Sequence, residues 1–282
     1  MTGLAGPLAG DKPNVLFLMA DDLRPELGCY GAGHVISPNI DRLAKRGRMF
    51  EHAYCQQALC NPSRASMLTG LRPDSLGIWN LPTHLRQRRP GIVTLPQHFR
   101  NNGYFTECVG KIFHNWRQDI HGDPQSWSVP QFMHYARHDD DKPRVEGKPP
   151  GNEIKLPRST IRDVPDEAYF DGRIATRAIE SLQRLKKNRK PFFLAVGFWK
   201  PHLPFNAPKR YWNLYDPAKV KLPESLAKPA NGPDIALHDS RELLHAFGGR
   251  KPSTRDIREL RRGYYAATTY MDAQVGRVLD EL

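Results

Sequence analysis

The sequence predicts an α/β fold built on a mostly parallel sheet, and three observations carry that prediction. Residues 14–20 and 191–198 are continuous apolar runs with no polar alternation, as in strands covered on both faces by helices. Stretches with helical spacing of apolar residues separate and follow them. Each apolar run also stops abruptly at residues able to do chemistry: Asp21-Asp22 after the first, Trp199-Lys200-Pro201-His202 after the second. In parallel sheets, functional groups collect at the carboxyl ends of the strands.

Taken in order, residues 14–20 form the first strand. A helix opens at Ser37-Pro38, with Ser37 as N-cap, Pro38 in the first helical position and Ile40, Leu43 and Ala44 on one apolar face. Lys45-Arg46-Gly47 ends it, with cations at the negative end of the dipole and a glycine for a left-handed exit. A second helix begins around Cys60-Asn61-Pro62-Ser63-Arg64, where the ring of Pro62 suits a first turn. Its unpaired N–H groups and positive dipole end favour an anion near Cys60, and Arg64 adds a permanent cation one turn along.

Thr94-Leu95-Pro96-Gln97 has capping-box spacing and announces a helix ending at Asn102-Gly103. Residues 104–109 read as another strand, whose end carries Gly110-Lys111-Ile112-Phe113-His114. From about 119 to 166 the chain is rich in proline and poor in periodicity, which predicts a long surface insertion. Residues 171–188 are helical, with Ile174, Ala178, Ile179 and Leu182 on one face. No element is assigned over 209–250. A long final helix runs from about Ile257 to the last residue, Leu282, without a capping signal.

Composition sets outer limits. The 282 residues suffice for two domains or one large α/β domain, and the continuous pattern is read as one, spanning 1–282. No apolar run is long enough to cross a bilayer. The first twelve residues lack the basic start and apolar core of a signal peptide, so localisation stays open. A net charge of +12 favours anionic partners: sulfated glycan, nucleic acid or an acidic membrane surface. Basic residues are not interleaved with aromatics, which argues against nucleic acid. The four cysteines form neither a dense disulfide framework nor paired Cys-x-x-Cys metal motifs.

Asp21 and Asp22 are adjacent hard oxygen donors at a strand end, suited to Ca²⁺ or Mg²⁺; a cap on the following turn is the alternative use. Asp139-Asp140-Asp141 reads as a solvated charge run, and His134 and His138 lack a helix to bring them together. The basic cluster Arg86-Gln87-Arg88-Arg89 is assigned to reading acidic groups of a glycan.

The run Cys60-x-Pro62-Ser63-Arg64-x-x-x-Leu68-Thr69-Gly70 resembles the signature of the type I sulfatases, whose cysteine is oxidised after translation to formylglycine. Residues 56–60, 110–114, 192–205 and 265–276 are similar to the iduronate-2-sulfatase branch in particular. The resemblance covers 14–282 and implies an alkaline-phosphatase-like α/β/α sandwich that removes sulfate from a sulfated saccharide. It implies metal ligation by Asp21, Asp22 and the modified Cys60, with Ca²⁺ preferred over Mg²⁺, and modification by the formylglycine-generating enzyme. By the same resemblance, Arg64 holds the aldehyde hydrate, Lys111 contacts the sulfate, His114 steadies the nucleophilic hydroxyl, and His202 protonates the leaving oxygen or binds sulfate. Such enzymes are usually periplasmic, secreted or lysosomal. They continue into a strand ending in Asp-His-Gly, a sulfate-binding lysine and a smaller subdomain, so this chain is expected to be the N-terminal portion of one. The competing expectation is a catalytically inactive fragment that binds polyanions.

Overall fold

The computed structural model describes residues 12–115, 117–132, 159–188, 190–225, 227–234 and 241–282. Its main sheet has three parallel strands, β1 (Val15–Asp21), β2 (Phe105–Gly110) and, lying between them, the fourth strand in chain order, β4 (Phe192–Pro201). A two-stranded parallel pair, β3 (Ile161–Arg162) with β5 (Ala207–Pro208), stands apart from it. The helices are α1 (Pro38–Arg46), α2 (Cys60–Thr69), α3 (Pro73–Leu76), α4 (Leu85–Arg88), α5 (Leu95–Asn101), α6 (Phe170–Lys186), α7 (Lys209–Trp212), α8 (Arg241–Ala246) and α9 (Thr254–Asp280).

Strand alternation explains the layering. Phe192, Leu194, Val196 and Phe198 of β4 pack with Ile174, Ala178 and Leu182 of α6 and Met271, Val275 and Val278 of α9. The intervening Phe193 and Ala195 face the other way, against Ala65 and Leu68 of α2, Leu76 of α3, Leu85 of α4 and Phe99 of α5. The result is an α/β/α sandwich. A third, aromatic cluster joins α7 to α9 through Tyr211, Trp212, Tyr265 and Tyr270.

The expectation that the first strand lies fully buried in the middle of the sheet needs correction. Residues of β4 are buried throughout, but β1 is largely half-buried, because among the described residues it pairs only with β4 and stands at the sheet edge. Its apolar run reports the two helical layers, not a central position.

Helix α1 has the predicted span but not the predicted caps. Ser37 Oγ accepts from the Gly28 amide and donates to Asp41, leaving the first turn uncapped by its own sequence. Asp272 of α9 caps it instead: its carboxylate accepts the Asn39 N–H at 3.2 Å, the Ile40 N–H at 2.8 Å and the Asn39 side-chain amide at 2.9 Å. Gly47 leaves the helix extended, at φ −122°, not left-handed. For α5 the Thr94–Gln97 capping box is present as read. Helix α9 begins three residues before the sequence reading, because Ser253 and Asp256 form a reciprocal cap.

Among the described residues, the unassigned stretch 209–250 contains α7, a 3₁₀ turn (Pro217–Lys219) and α8. Residues 133–158, with His134, His138 and Asp139-Asp140-Asp141, lie outside the described residues, so most of the predicted 119–166 insertion does too. No described helix is long and apolar enough to cross a membrane.

Candidate active site

The carboxyl ends of the three sheet strands converge on the N-terminus of α2. There, Cys60 is the first helical residue, one turn ahead of Arg64. Asn61 ties the helix start to the following loop, donating to the carbonyls of Asn80 and Thr83 at 2.8 and 2.7 Å. Gly70, left-handed at φ 72°, closes the other end.

Asp21, Asp22, Cys60 and His202 offer donor atoms that all lie within 4.8 Å of one another. The two aspartates point to different neighbours. Asp21 is buried: one oxygen accepts from Arg64 Nη2 at 2.7 Å and the other from the Lys111 ammonium. Asp22, with left-handed φ of 58°, turns outward, 3.9 Å from Cys60 Sγ and 3.5 Å from His202 Nε2. The four residues come from β1, α2 and the turn after β4.

Arg64 knits the site to β2. Its Nη1 donates to the carbonyls of Lys111 and Ile112 at 2.8 and 2.9 Å, so one buried guanidinium fixes both Asp21 and the backbone that presents Lys111. That backbone depends on two glycines. Gly110 has φ of 83°, and the Lys111 N–H donates to the Gly197 carbonyl at 2.8 Å. A side chain on Gly197 would collide with the Lys111 peptide. The Lys111 ammonium also lies 4.9 Å from the Trp199 ring centroid. The carboxyl end of β4 is held by Asp171, which accepts the Trp199 and Lys200 N–H groups at 2.9 and 3.0 Å.

Burial and charge act against each other here. Burial alone would raise the Asp21 carboxyl, but Lys111, Arg64 and His202 outweigh it and hold it well below the usual carboxylate range. Burial and then the Asp21 carboxylate push the Cys60 thiol up to about 12, leaving it neutral near pH 7. Burial, then the Lys111 charge, hold His114 down at about 3. Both ring nitrogens of His114 are buried without a hydrogen-bond partner, an arrangement that suits contact with a ligand's polar group, since leaving them unpaired is costly.

Asp21 and Asp22 supply up to four hard oxygens at a strand end, a donor set that fits a divalent cation such as Ca²⁺ or Mg²⁺; Cys60 as a thiol would be the soft exception.

The structure thus gathers Asp21, Asp22, Cys60, Arg64, Lys111 and His202 at one locus, with His114 near enough to feel Lys111, Asp21, Arg64 and His202. Sequence reasoning missed Gly197, Asp171 and Glu242, whose carboxylate reaches from α8 to 3.9 Å of His202 Nε2. Gly197 had a signal, a glycine inside an apolar strand, which marks close backbone approach.

The basic cluster is corrected. Arg86 is buried in a bidentate pair with Asp123, Nε to Oδ1 at 2.9 Å and Nη2 to Oδ2 at 2.8 Å, and also reaches Gln97 at 2.8 Å. It holds loops together and is unavailable to a glycan. Arg88 stays exposed, and Arg89 donates to the Ser75 carbonyl at 2.5 Å.

Comparison with known proteins gives the family and the fold of the chain. Mouse (Mus musculus) iduronate 2-sulfatase is 38% identical over 289 residues, which covers 98% of this chain and 52% of the relative. The chain therefore spans about half the length of the curated relative it matches. Among solved structures, the phosphonate monoester hydrolase SpPMH from Silicibacter pomeroyi superposes with a TM-score of 0.70 at 22% identity, covering 95% of this chain and 59% of that one. BT4656, solved in complex with its substrate D-glucosamine-2-N,6-O-disulfate, superposes with a TM-score of 0.63 at 19% identity, covering 96% and 62%. These two show the fold, the α/β/α sandwich described above. The sulfatase family model matches residues 13–282, and with a 38% identical iduronate 2-sulfatase across the same span, this chain belongs to the sulfatase family.

Proposed function

We propose that this chain carries the nucleophile half of a sulfuric-ester hydrolase acting on a sulfated saccharide, with iduronate-2-sulfatase-like chemistry. The observation that carries the reading is the convergence of Cys60, Asp21, Asp22 and His202 within 4.8 Å, backed by Arg64 and Lys111.

Cys60 is the substrate for oxidation to formylglycine by a formylglycine-generating enzyme, and the hydrated aldehyde supplies a hydroxyl nucleophile for sulfur plus a second hydroxyl that lets sulfate leave. A divalent metal, Ca²⁺ in preference to Mg²⁺, would be held by Asp21 and Asp22 with the modified Cys60 and would neutralise charge on sulfate oxygens.

The chain's own residues do the rest. Lys111 and Arg64 keep Asp21 ionised, and Arg64 orients it, so that the carboxylate stays charged in a buried place. Lys111, paired with Asp21 beside Cys60, brings an ammonium that would meet a sulfate oxygen. His114, neutral at pH 7, accepts or donates through ring nitrogens that no protein group occupies, and so orients the nucleophilic hydroxyl. His202, with Nε2 3.5 Å from Asp22 at the same locus, would donate a proton to the leaving oxygen or bind sulfate. Positioning by rigid strand ends limits the motion these groups must lose.

The test is sulfate release from an aryl sulfate and from sulfated disaccharides, by chain co-expressed with the formylglycine-generating enzyme. Release abolished by Cys60→Ala supports the reading. Equal release by both proteins defeats it.

A second reading, a polyanion binder without turnover, is favoured by a specific feature. A cleft of about 510 Å³ between residues 217–222 and α9 is lined by Lys219, Lys221 and Arg258, for which no carboxylate partner occurs among the described residues. Binding of heparin-like polymer at low salt by both wild type and Cys60→Ala, without sulfate release by either, would favour that account.

A further inference from the structure

We propose that Tyr264 of α9 is a positioning residue for the metal side of the site, fixing the Asp22 backbone and tying it to the turn that carries His202; the inference rests on the metal reading above. Three contacts place it. The Tyr264 hydroxyl donates to the Asp22 carbonyl at 3.1 Å and accepts the Arg24 N–H at 2.8 Å. Its ring meets Phe205 edge to face, with centroids 6.0 Å apart and planes at 90°. Phe205 lies three residues beyond His202, so one side chain touches both loops that face Cys60.

The need for such a bridge follows from the backbone. Asp22 has φ of 58°, in the left-handed region that residues with a Cβ adopt infrequently and aspartate more readily than most. That conformation sends adjacent carboxylates to different neighbours, Asp21 inward to Arg64 and Lys111, Asp22 across to Cys60 and His202. The Tyr264 hydroxyl joins the Asp22 carbonyl to the Arg24 amide across the turn, closing it where no main-chain bond is formed. A tyrosine placed this way acts on the ligands and touches no reacting atom. Outer residues of this kind change metal affinity because they set the orientation of the ligating groups.

Tyr264→Phe removes both hydrogen bonds and keeps the ring against Phe205. Two measurements on the full chain decide the matter: amide hydrogen exchange at Asp22 to Arg24 without added metal, and calorimetric titration with Ca²⁺ alone. The expected result is faster exchange at Arg24 and Ca²⁺ affinity weakened about tenfold, at the low end of the range for outer-shell substitutions, with the melting temperature nearly unchanged. Unchanged exchange overturns the proposal, as does faster exchange with wild-type Ca²⁺ affinity, which would make the hydroxyl merely structural. If wild type takes up no Ca²⁺, the metal reading fails; unchanged exchange would then overturn the positioning as well, and faster exchange would support the fixing of the Asp22 turn.

Discussion

Gly197 is the point where the sheet and the site are most tightly coupled. It pairs with Gly110 in the sheet, and its carbonyl accepts the Lys111 N–H at 2.8 Å. A methyl group at position 197 would press on the Lys111 peptide, with its Cβ 2.8 Å from the amide nitrogen and closer still to the carbonyl. Ordinary carbon contacts are about 3.5–4.0 Å, so the Lys111 carbonyl, whose oxygen would lie closest to that Cβ, must retreat by roughly 1.5 Å or more. Both strands are packed on each face, which leaves it nowhere to go cheaply. Overpacking of this kind costs about 1–3 kcal/mol. The same movement draws the Lys111 carbonyl away from Arg64 Nη1, now at 2.8 Å, and a hydrogen bond to a charged group contributes about 1.5–3 kcal/mol. Gly197→Ala is therefore expected to cost about 2.5–6 kcal/mol, a fall in melting temperature of roughly 5–24 °C at about 2–4 °C per kcal/mol for a chain near this size. Thermal unfolding followed by circular dichroism measures it. A melting temperature within 2 °C of wild type (roughly 1 kcal/mol or less) would refute the close-approach argument.

Other perturbations separate the parts of the account. Asp272→Ala should destabilise by about 1–2 kcal/mol by uncapping α1 from a distant helix, and Ser37→Ala by less, as measured by urea unfolding; the reverse order would restore Ser37 as the cap. Arg86→Ala should cost about 3–5 kcal/mol because it strands the buried Asp123 carboxylate, whereas Arg88→Ala should leave stability unchanged. His114 gives a pH signature. Its imidazole takes a proton near pH 6.5 when unfolded but only near 3 when folded, so its neutral form contributes stability that is complete above about 6.5 and is lost as the pH falls towards 3, by up to about 1.4 kcal/mol per unit. His114→Gln should flatten the stability curve between about pH 6 and 4.5, above the range where carboxylates such as Asp21 titrate. Parallel curves for the two proteins would show that His114 is not buried neutral.

Much of the site was legible because its residues stand at boundaries that local patterns mark. Apolar runs ending at Asp21-Asp22 and at Lys200-Pro201-His202 gave the strand ends, and the turn-forming Cys60-x-Pro62 gave the helix start. The α5 capping box was equally local. What stayed hidden depends on partners far along the chain. Ser37 has every attribute of a cap, yet Asp272 takes the task from 232 residues away, through the Ile40 amide. Arg86 looks like a member of a surface cluster until Asp123 folds over it. The apolar run of β1 could not distinguish an edge strand from a central one, because both lie between helical layers. Glu242 and Tyr264 reach the site from segments with no motif of their own.

The central claim is that Cys60 sits in a site built for its aldehyde form, and peptide mass spectrometry of the Cys60 segment tests it most directly. Chain co-expressed with a formylglycine-generating enzyme and trapped with a hydrazide is predicted to carry the aldehyde adduct at Cys60, and at none of Cys29, Cys55 or Cys108. A thiol at Cys60 in that preparation, with the enzyme active on a control substrate, would contradict the account.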